Sequence, residues 1–153
     1  VLEYVDVGHE GSILDLYCGA GNLSLPLAER CRKVTGVDRD PSAISDAISN
    51  AKTNSIKNVN LICSDASMGL RSIGKILPDT VILDPPREGG LDVIRGIACL
   101  KPKRVVYISC NPSTLARDLT VLIRKGYVVN RARVIDMFPQ TYHIEGVVEL
   151  LHG

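Results

Sequence analysis

The sequence predicts an α/β domain in which a doubly wound, mostly parallel sheet ends in an antiparallel hairpin. Three observations predict it. Five apolar runs of strand length alternate with helical patterns, a glycine-rich turn follows the first run, and the last two strand-like runs have no helix between them.

The opening stretch VLEYVDVG reads as helical, an entry from a preceding segment. SILDLY (Ser12 to Tyr17), KVTGVD (Lys33 to Asp38), VNLIC (Val59 to Cys63), TVILD (Thr80 to Asp84) and RVVYIS (Arg104 to Ser109) then read as buried parallel strands. Between the second and third, Pro41 opens a helix whose Ile44, Ala47, Ile48 and Ala51 recur at helical spacing, so one face is made to lie on the sheet. After Cys110 a second helix starts near Pro112, carries Leu115, Leu119 and Leu122, and closes at Gly126. YVVNRARVIDMF and GVVELL follow as strands with no helix between them and pair as a hairpin at one end of the sheet.

A chain of 153 residues fits one domain, residues 1–153, around a single core. With 45% hydrophobic and 23% charged residues and a formal net charge of +1, it lacks the polybasic character that draws nucleic acid electrostatically. Apolar runs of strand size give no membrane span, and no leader pattern precedes them, so a cytoplasmic location is the expectation. The five cysteines are scattered without a CxxC pair, which argues against a zinc site or a disulfide framework. Cys31, Cys63 and Cys99 read as small buried hydrophobes; Cys18 and Cys110 depend on their neighbours.

DLYCGAGNLSLPLA places Gly19 and Gly21 between the first strand and the first helix, where a tight turn brings backbone N–H groups against a ligand. A GxGxxG fingerprint would need glycine where Ser24 stands. Asp15, Asp38, Asp65 and Asp84 each fall within or just beyond the C-terminal end of a strand, where ligands of open α/β sheets bind. Asp38 lies 17 residues after Gly21, a place suited to ribose hydroxyls, although capping of the Pro41 helix is an alternative that Asp40 serves better. Both a nicotinamide dinucleotide and S-adenosylmethionine suit this layout. The second carries a cation and no phosphate, and Asp15, four residues before Gly19, is placed to hold that cationic end.

ILDPPREGG sets Asp84 before two prolines, which block helix and ladder and hold the acid rigid, suited to accepting a ring N–H of a flat base. Arg87 is suited to a phosphate or carboxylate. The fifth strand ends beside the fourth and delivers Cys110 to the same side, with the Pro112 helix beginning directly after it. A helix N-terminus favours thiolate over thiol, so a nucleophilic role stands beside the plain reading of a buried thiol.

DLYCGAGN, DPPREGG, SCNPSTLARDL and DMFPQTYHIE together resemble the RNA uracil-C5 methyltransferases, which use S-adenosylmethionine to make 5-methyluridine in transfer or ribosomal RNA. The likeness covers nearly the whole chain. It implies the class I S-adenosylmethionine-dependent methyltransferase fold, Cys110 as nucleophile and Glu145 as base, with no metal. It also implies Tyr17, Asn22, Asp38 and Asp65 as cofactor contacts beside the Gly19 and Gly21 loop, and Asp84 between cofactor and base. His143 is the second candidate base. The residue types suit the chemistry: a thiolate added at C6 makes the otherwise weak C5 of uracil electron-rich, and a carboxylate then removes the C5 proton.

Two departures matter. Gly146 follows Glu145 where many relatives carry threonine, and complete members carry an RNA-binding domain and a central region upstream. The chain therefore reads as a catalytic fragment whose RNA affinity resides elsewhere, since Phe138 and five tyrosines are few for base stacking. Rival readings are an amino-methyltransferase acting on adenine or guanine, which needs no thiol, a cofactor-binding RNA module without activity, and a nicotinamide oxidoreductase.

Overall fold

Hydrophobic strands that are buried on both faces need a layer of helices on each side, and the chain supplies them in alternation. The computed structural model describes residues 1–5, 8–73, 77–136 and 144–153. The strands are β1 (Ser12–Leu16), β2 (Lys33–Asp38), β3 (Val59–Cys63), β4 (Thr80–Leu83), β5 (Arg104–Ser109), β6 (Tyr127–Ile135) and β7 (Glu145–His152). The helices are α1 (Ser24–Ala28), α2 (Pro41–Thr53), α3 (Ala66–Ser72), α4 (Leu91–Leu100) and α5 (Pro112–Ile123). The order across the sheet is β3-β2-β1-β4-β5-β7-β6, parallel through β5 and antiparallel at β7 and β6. The doubly wound sheet with a closing hairpin is thus present, but β3, expected to be buried, lies at the sheet edge and is only partly covered.

Two apolar clusters lie on the two sides of the sheet. Leu14, Leu16, Val81, Leu83, Val105 and Tyr107 pack with Leu70 of α3, Ile94 and Ile97 of α4 and Leu122 of α5. Ile13, Val34, Ile82, Val106 and Ile108 pack with Leu27 and Ala28 of α1, and with Tyr4 and Val5. Truncating a fully buried member such as Leu122 removes about 2 to 5 kcal/mol of stability.

Several local expectations are corrected. Among the described residues of the opening stretch, the expected helix is a 3-10 turn at Leu2–Tyr4, whose Tyr4 is buried. In α2, Ile44, Ala47 and Ala51 are buried, but Ile48 is 54% exposed, because the face meeting the sheet is narrower than the apolar stripe. Cys63 and Cys99 are exposed rather than buried, whereas Cys31 is buried. The last turn of α5 ends at Arg124, and Gly126, at φ +96°, bonds back to Ile123 O one step later. Among the described residues no helix is long and apolar enough to cross a membrane.

Candidate active site

The strand order reverses between β1 and β4, and the crevice beyond their C-terminal ends is where this architecture places ligands. The chain leaves β1 through Tyr17, which adopts φ +66°, a left-handed conformation that costs a side-chain-bearing residue about 1 to 2 kcal/mol. Its amide and that of Cys18 both donate to Val37 O, at 2.8 and 3.1 Å, and hold the turn against β2. Gly21, at φ +86°, requires glycine twice over, because a Cβ there would sit 3.0 Å from Leu25 Cγ.

The acids divide into different tasks. Asp38 Oδ2 accepts from Gly19 N at 2.9 Å and Oδ1 from Asp40 N at 2.9 Å, so two amides aim its carboxylate along the glycine turn. Asp40, not Asp38, caps α2 by accepting from Ser42 N and Ala43 N. Asp65 caps α3 by accepting from the Ser67 amide and hydroxyl, and these bonds hold its carboxyl below the usual carboxylate range.

Asp15 differs from its expected role. It is 1% exposed and accepts a 2.5 Å bond from Ser24 Oγ, so it lies beneath the glycine turn and not in the crevice. Burial, opposed by the Ser24 bond and reinforced by the charges of Asp84 and Asp38, pushes it up to about 7. Ser24 is thus explained: the serine in place of a third fingerprint glycine is the partner of a buried acid.

The crevice has two lobes. One of about 480 Å³ is lined by Tyr17, Asp38, Asp65, Asp84, Pro85 and Glu88, among others. The second, of about 370 Å³, shares Tyr17, Asp65 and Glu88 and continues along Gly89, Gly90 and α4. Asn22 is exposed in the turn leading to α1 and is not among the residues lining either lobe. Asp84 follows β4 directly, with its amide on Leu16 O at 3.4 Å. Asp84 as a residue is exposed, yet the strand ends crowd the inner side of its carboxyl, and the desolvation there, and then the charge of Glu145, push it up to about 6.

Cys110 and Glu145 reach the same end of the sheet from opposite chain directions. Ser109, the last residue of β5, pairs with Gly146 of β7, so Cys110 and Glu145 are the next residue outward on each strand. Neighbouring strands run about 4.8 Å apart, which makes the two residues immediate neighbours. Both are partly exposed. The α5 N-terminus acts less directly than expected: Asn111 Oδ1 accepts from Ser113 N at 3.0 Å and Thr114 N at 3.5 Å, so these amides point to the cap rather than to the thiol. His143 and most of DMFPQTYHIE lie outside the described residues.

Sequence reasoning missed a buried polar cluster beneath the crevice wall, Asp118 with Tyr107 and Arg117. Its signal was present as an acid and an arginine on a helix whose apolar positions are Leu115, Leu119 and Leu122. Among the described residues there is no cluster of three or more His, Cys, Asp or Glu side chains arranged to hold a metal ion.

Comparison with known proteins agrees with this geometry. The chain is 45% identical over 137 residues to the 23S rRNA (uracil(1939)-C(5))-methyltransferase RlmD of Pseudomonas putida, covering 88% of this chain and 30% of that protein. It is 42% identical to the RlmD of Legionella pneumophila, covering 99% of this chain and 35% of the relative. The chain therefore spans about a third of the length of these relatives. Among solved structures, the Pyrococcus abyssi tRNA (uracil-54, C5)-methyltransferase in complex with S-adenosyl-L-homocysteine superimposes with a TM-score of 0.81 at 34% identity, covering 95% of this chain and 35% of that one. A precorrin-6y C5,15-methyltransferase from Geobacter metallireducens, with a TM-score of 0.80 at 16% identity, shares the fold alone. The family model described as tRNA (Uracil-5-)-methyltransferase matches residues 2–152, and the chain belongs to that family.

Proposed function

We propose that this chain is the catalytic part of an S-adenosylmethionine-dependent methyltransferase that forms 5-methyluridine in RNA, with Cys110 as nucleophile and Glu145 as base. The observation that carries the reading is the β5–β7 register, which brings a thiol and a carboxylate to the end of the sheet where Asp84, a lining residue of the crevice, feels the charge of Glu145.

The crevice suits a cationic nucleoside. The carboxyl of Asp84 is held up by desolvation and by the charge of Glu145, and a positive ligand beside it relieves that repulsion. Asp38, fixed by two amides, suits the ribose hydroxyls, while Tyr17 and Asp65 wall the lobe for the base. Gly19 and Gly21 let the turn approach the ligand, and Asn22 acts from its rim. Bound there, S-adenosylmethionine supplies an activated methyl group.

The protein's own residues perform the rest. Sγ of Cys110 bonds to C6 of uracil, and the C5–C6 π electrons move into an enolate that makes C5 nucleophilic. After methylation C5 still carries its proton. Glu145 accepts it, the electron pair restores the C5–C6 double bond, and the C6–S bond breaks to free Cys110. Asp84, raised to about 6, is positioned to orient the uracil ring beside both groups.

Ribosomal RNA is the favoured substrate, because the relatives at 42 and 45% identity bear rRNA names while the tRNA enzyme stands at 34%. RNA is gripped largely by segments corresponding to the rest of those relatives. The full-length protein, incubated with methyl-labelled cofactor and separate rRNA and tRNA pools, should yield labelled 5-methyluridine, and Cys110→Ala should abolish it. Label on an exocyclic nitrogen, or activity surviving Cys110→Ala, would favour an amino-methyltransferase instead.

A further inference from the structure

The loop from Asp84 to Gly90 forms one wall of both crevice lobes, yet much of it is held from outside by a single helix. Asn111 Nδ2 donates to Arg87 O at 3.1 Å, and the Thr114 hydroxyl shares its one proton between Arg87 O and Asn111 O, each at 3.2 Å. Arg117 Nη2 donates to Glu88 O at 2.9 Å, and Asp118 Oδ2 accepts from Gly90 N at 2.8 Å. Residues 111, 114, 117 and 118 recur at three- and four-residue spacing and so share one face of α5.

Asp118 is the anchor of this face. It is fully buried, and beyond Gly90 it accepts from Tyr107 Oη at 2.7 Å and Arg117 Nε at 2.8 Å. The approach is close: a Cβ on Gly89, already at φ +82°, would lie 2.5 Å from Arg117 Nη2 and 2.7 Å from Asp118 Oδ2. Gly89, the first of the two glycines of DPPREGG, is therefore needed for backbone to lie on this helix. A buried carboxylate with these donors is more than a core needs for stability, since an apolar side chain would pack there without any desolvation penalty.

We propose that this face of α5 is a clamp that sets the crevice wall, and with it Asp84, in fixed register with Cys110, making Asp118 a positioning residue for the reaction. The mechanical reason is direct. The helix begins two residues after Cys110, so the body that follows the thiol also holds the wall against which cofactor and uracil must lie. The proposal rests on the functional reading above for its catalytic consequence, while the clamp itself is testable without it.

Three measurements on the full-length protein test it: hydrogen exchange of the peptide spanning residues 85–91, binding of S-adenosyl-L-homocysteine, and the single-turnover rate of methyl transfer at saturating cofactor. Asp118→Asn keeps the volume but sets an NH2 group either against Gly90 N and Tyr107 Oη, which share one carboxylate oxygen, or against Arg117 Nε, which meets the other, so one side of the clamp is lost. Thr114→Val removes one donor at a partly exposed site and does not threaten folding. Both should speed exchange of the 85–91 peptide, about tenfold for one lost hydrogen bond. Both should also slow methyl transfer tenfold or more at saturating cofactor, and Thr114→Ser should restore wild-type behaviour. Unchanged exchange in both variants would overturn the clamp, and faster exchange with an unchanged transfer rate would overturn the positioning role. Faster exchange in the variants, together with a wild-type protein that does not bind S-adenosyl-L-homocysteine, would uphold the clamp and sink the functional reading instead.

Discussion

Ser109 of β5 faces Gly146 of β7, and this one register step makes Cys110 and Glu145 neighbours at the open end of the sheet. Ile108 and Val147, the preceding pair, lie in one apolar cluster. The two-residue pleat puts Cys110 and Glu145 on that same side. A slip of one residue would reverse the side that Glu145 faces and separate the proposed base from the proposed nucleophile.

Asp38 should report on cofactor binding. Asp38→Ala removes the carboxylate that two amides aim along the glycine turn and should weaken S-adenosyl-L-homocysteine by about 1 to 3 kcal/mol in calorimetry. Wild-type affinity in that variant would move the ribose site elsewhere.

Asp15 should make folding stability depend on pH. Its folded-state value, raised to about 7, means the folded protein holds this proton more tightly than the unfolded chain. The resulting stability is fully present below about pH 4 and is lost as pH rises through about 7. Asp15→Asn keeps an acceptor for Ser24 and abolishes this dependence. Urea unfolding at pH 5 and pH 8 should show wild type losing on the order of 2 to 4 kcal/mol more than the variant. Equal losses would contradict the buried-acid account.

Glu149 should be a stability residue. It is fully buried and meets Arg131 Nε at 2.7 Å, Asn130 Nδ2 at 2.6 Å and Arg104 Nε at 2.9 Å. Burial opposes its charge, but these bonds and the two arginines outweigh it and hold the carboxyl below its usual range. Glu149→Ala removes the buried acceptor of Asn130 and two partly exposed arginines and should cost about 1 to 3 kcal/mol in denaturant unfolding. A loss below 1 kcal/mol would show that water replaces the carboxylate.

Gly146 is a departure that packing explains. A Cβ there would lie 3.2 Å from Leu115 Cδ2, so the first turn of α5 occupies the space a larger side chain would need. Gly146→Thr should destabilise by roughly 1 to 3 kcal/mol, and Leu115→Ala in the same chain should offset part of that loss. An equal loss with and without Leu115→Ala would rule out this contact as the cause.

The parallel strands were legible because each is a short, mostly apolar run set between helical patterns, and the closing hairpin because no helical pattern intervenes. The crevice acids were legible by their places at strand ends. Their individual tasks were not: Asp15 and Asp38 look alike in sequence, and only the tertiary fold covers one with α1 and leaves the other at the crevice. Ile48 misled because periodicity marks an apolar stripe without fixing how much of it the sheet covers. The clamp on Gly90 was hidden for a similar reason, as Asp118 meets a backbone amide 28 residues away that has no side-chain signature.

The central claim is that Cys110 forms the covalent bond to uracil and Glu145 permits its release. The direct measurement is a denaturing gel of full-length Glu145→Gln incubated with cofactor and labelled RNA. A protein–RNA adduct carrying the methyl group should persist, because the C5 proton that must leave has no base to accept it, and the adduct should vanish when Cys110→Ala is added. Wild-type turnover by Glu145→Gln, or an adduct that survives the loss of Cys110, would contradict the account.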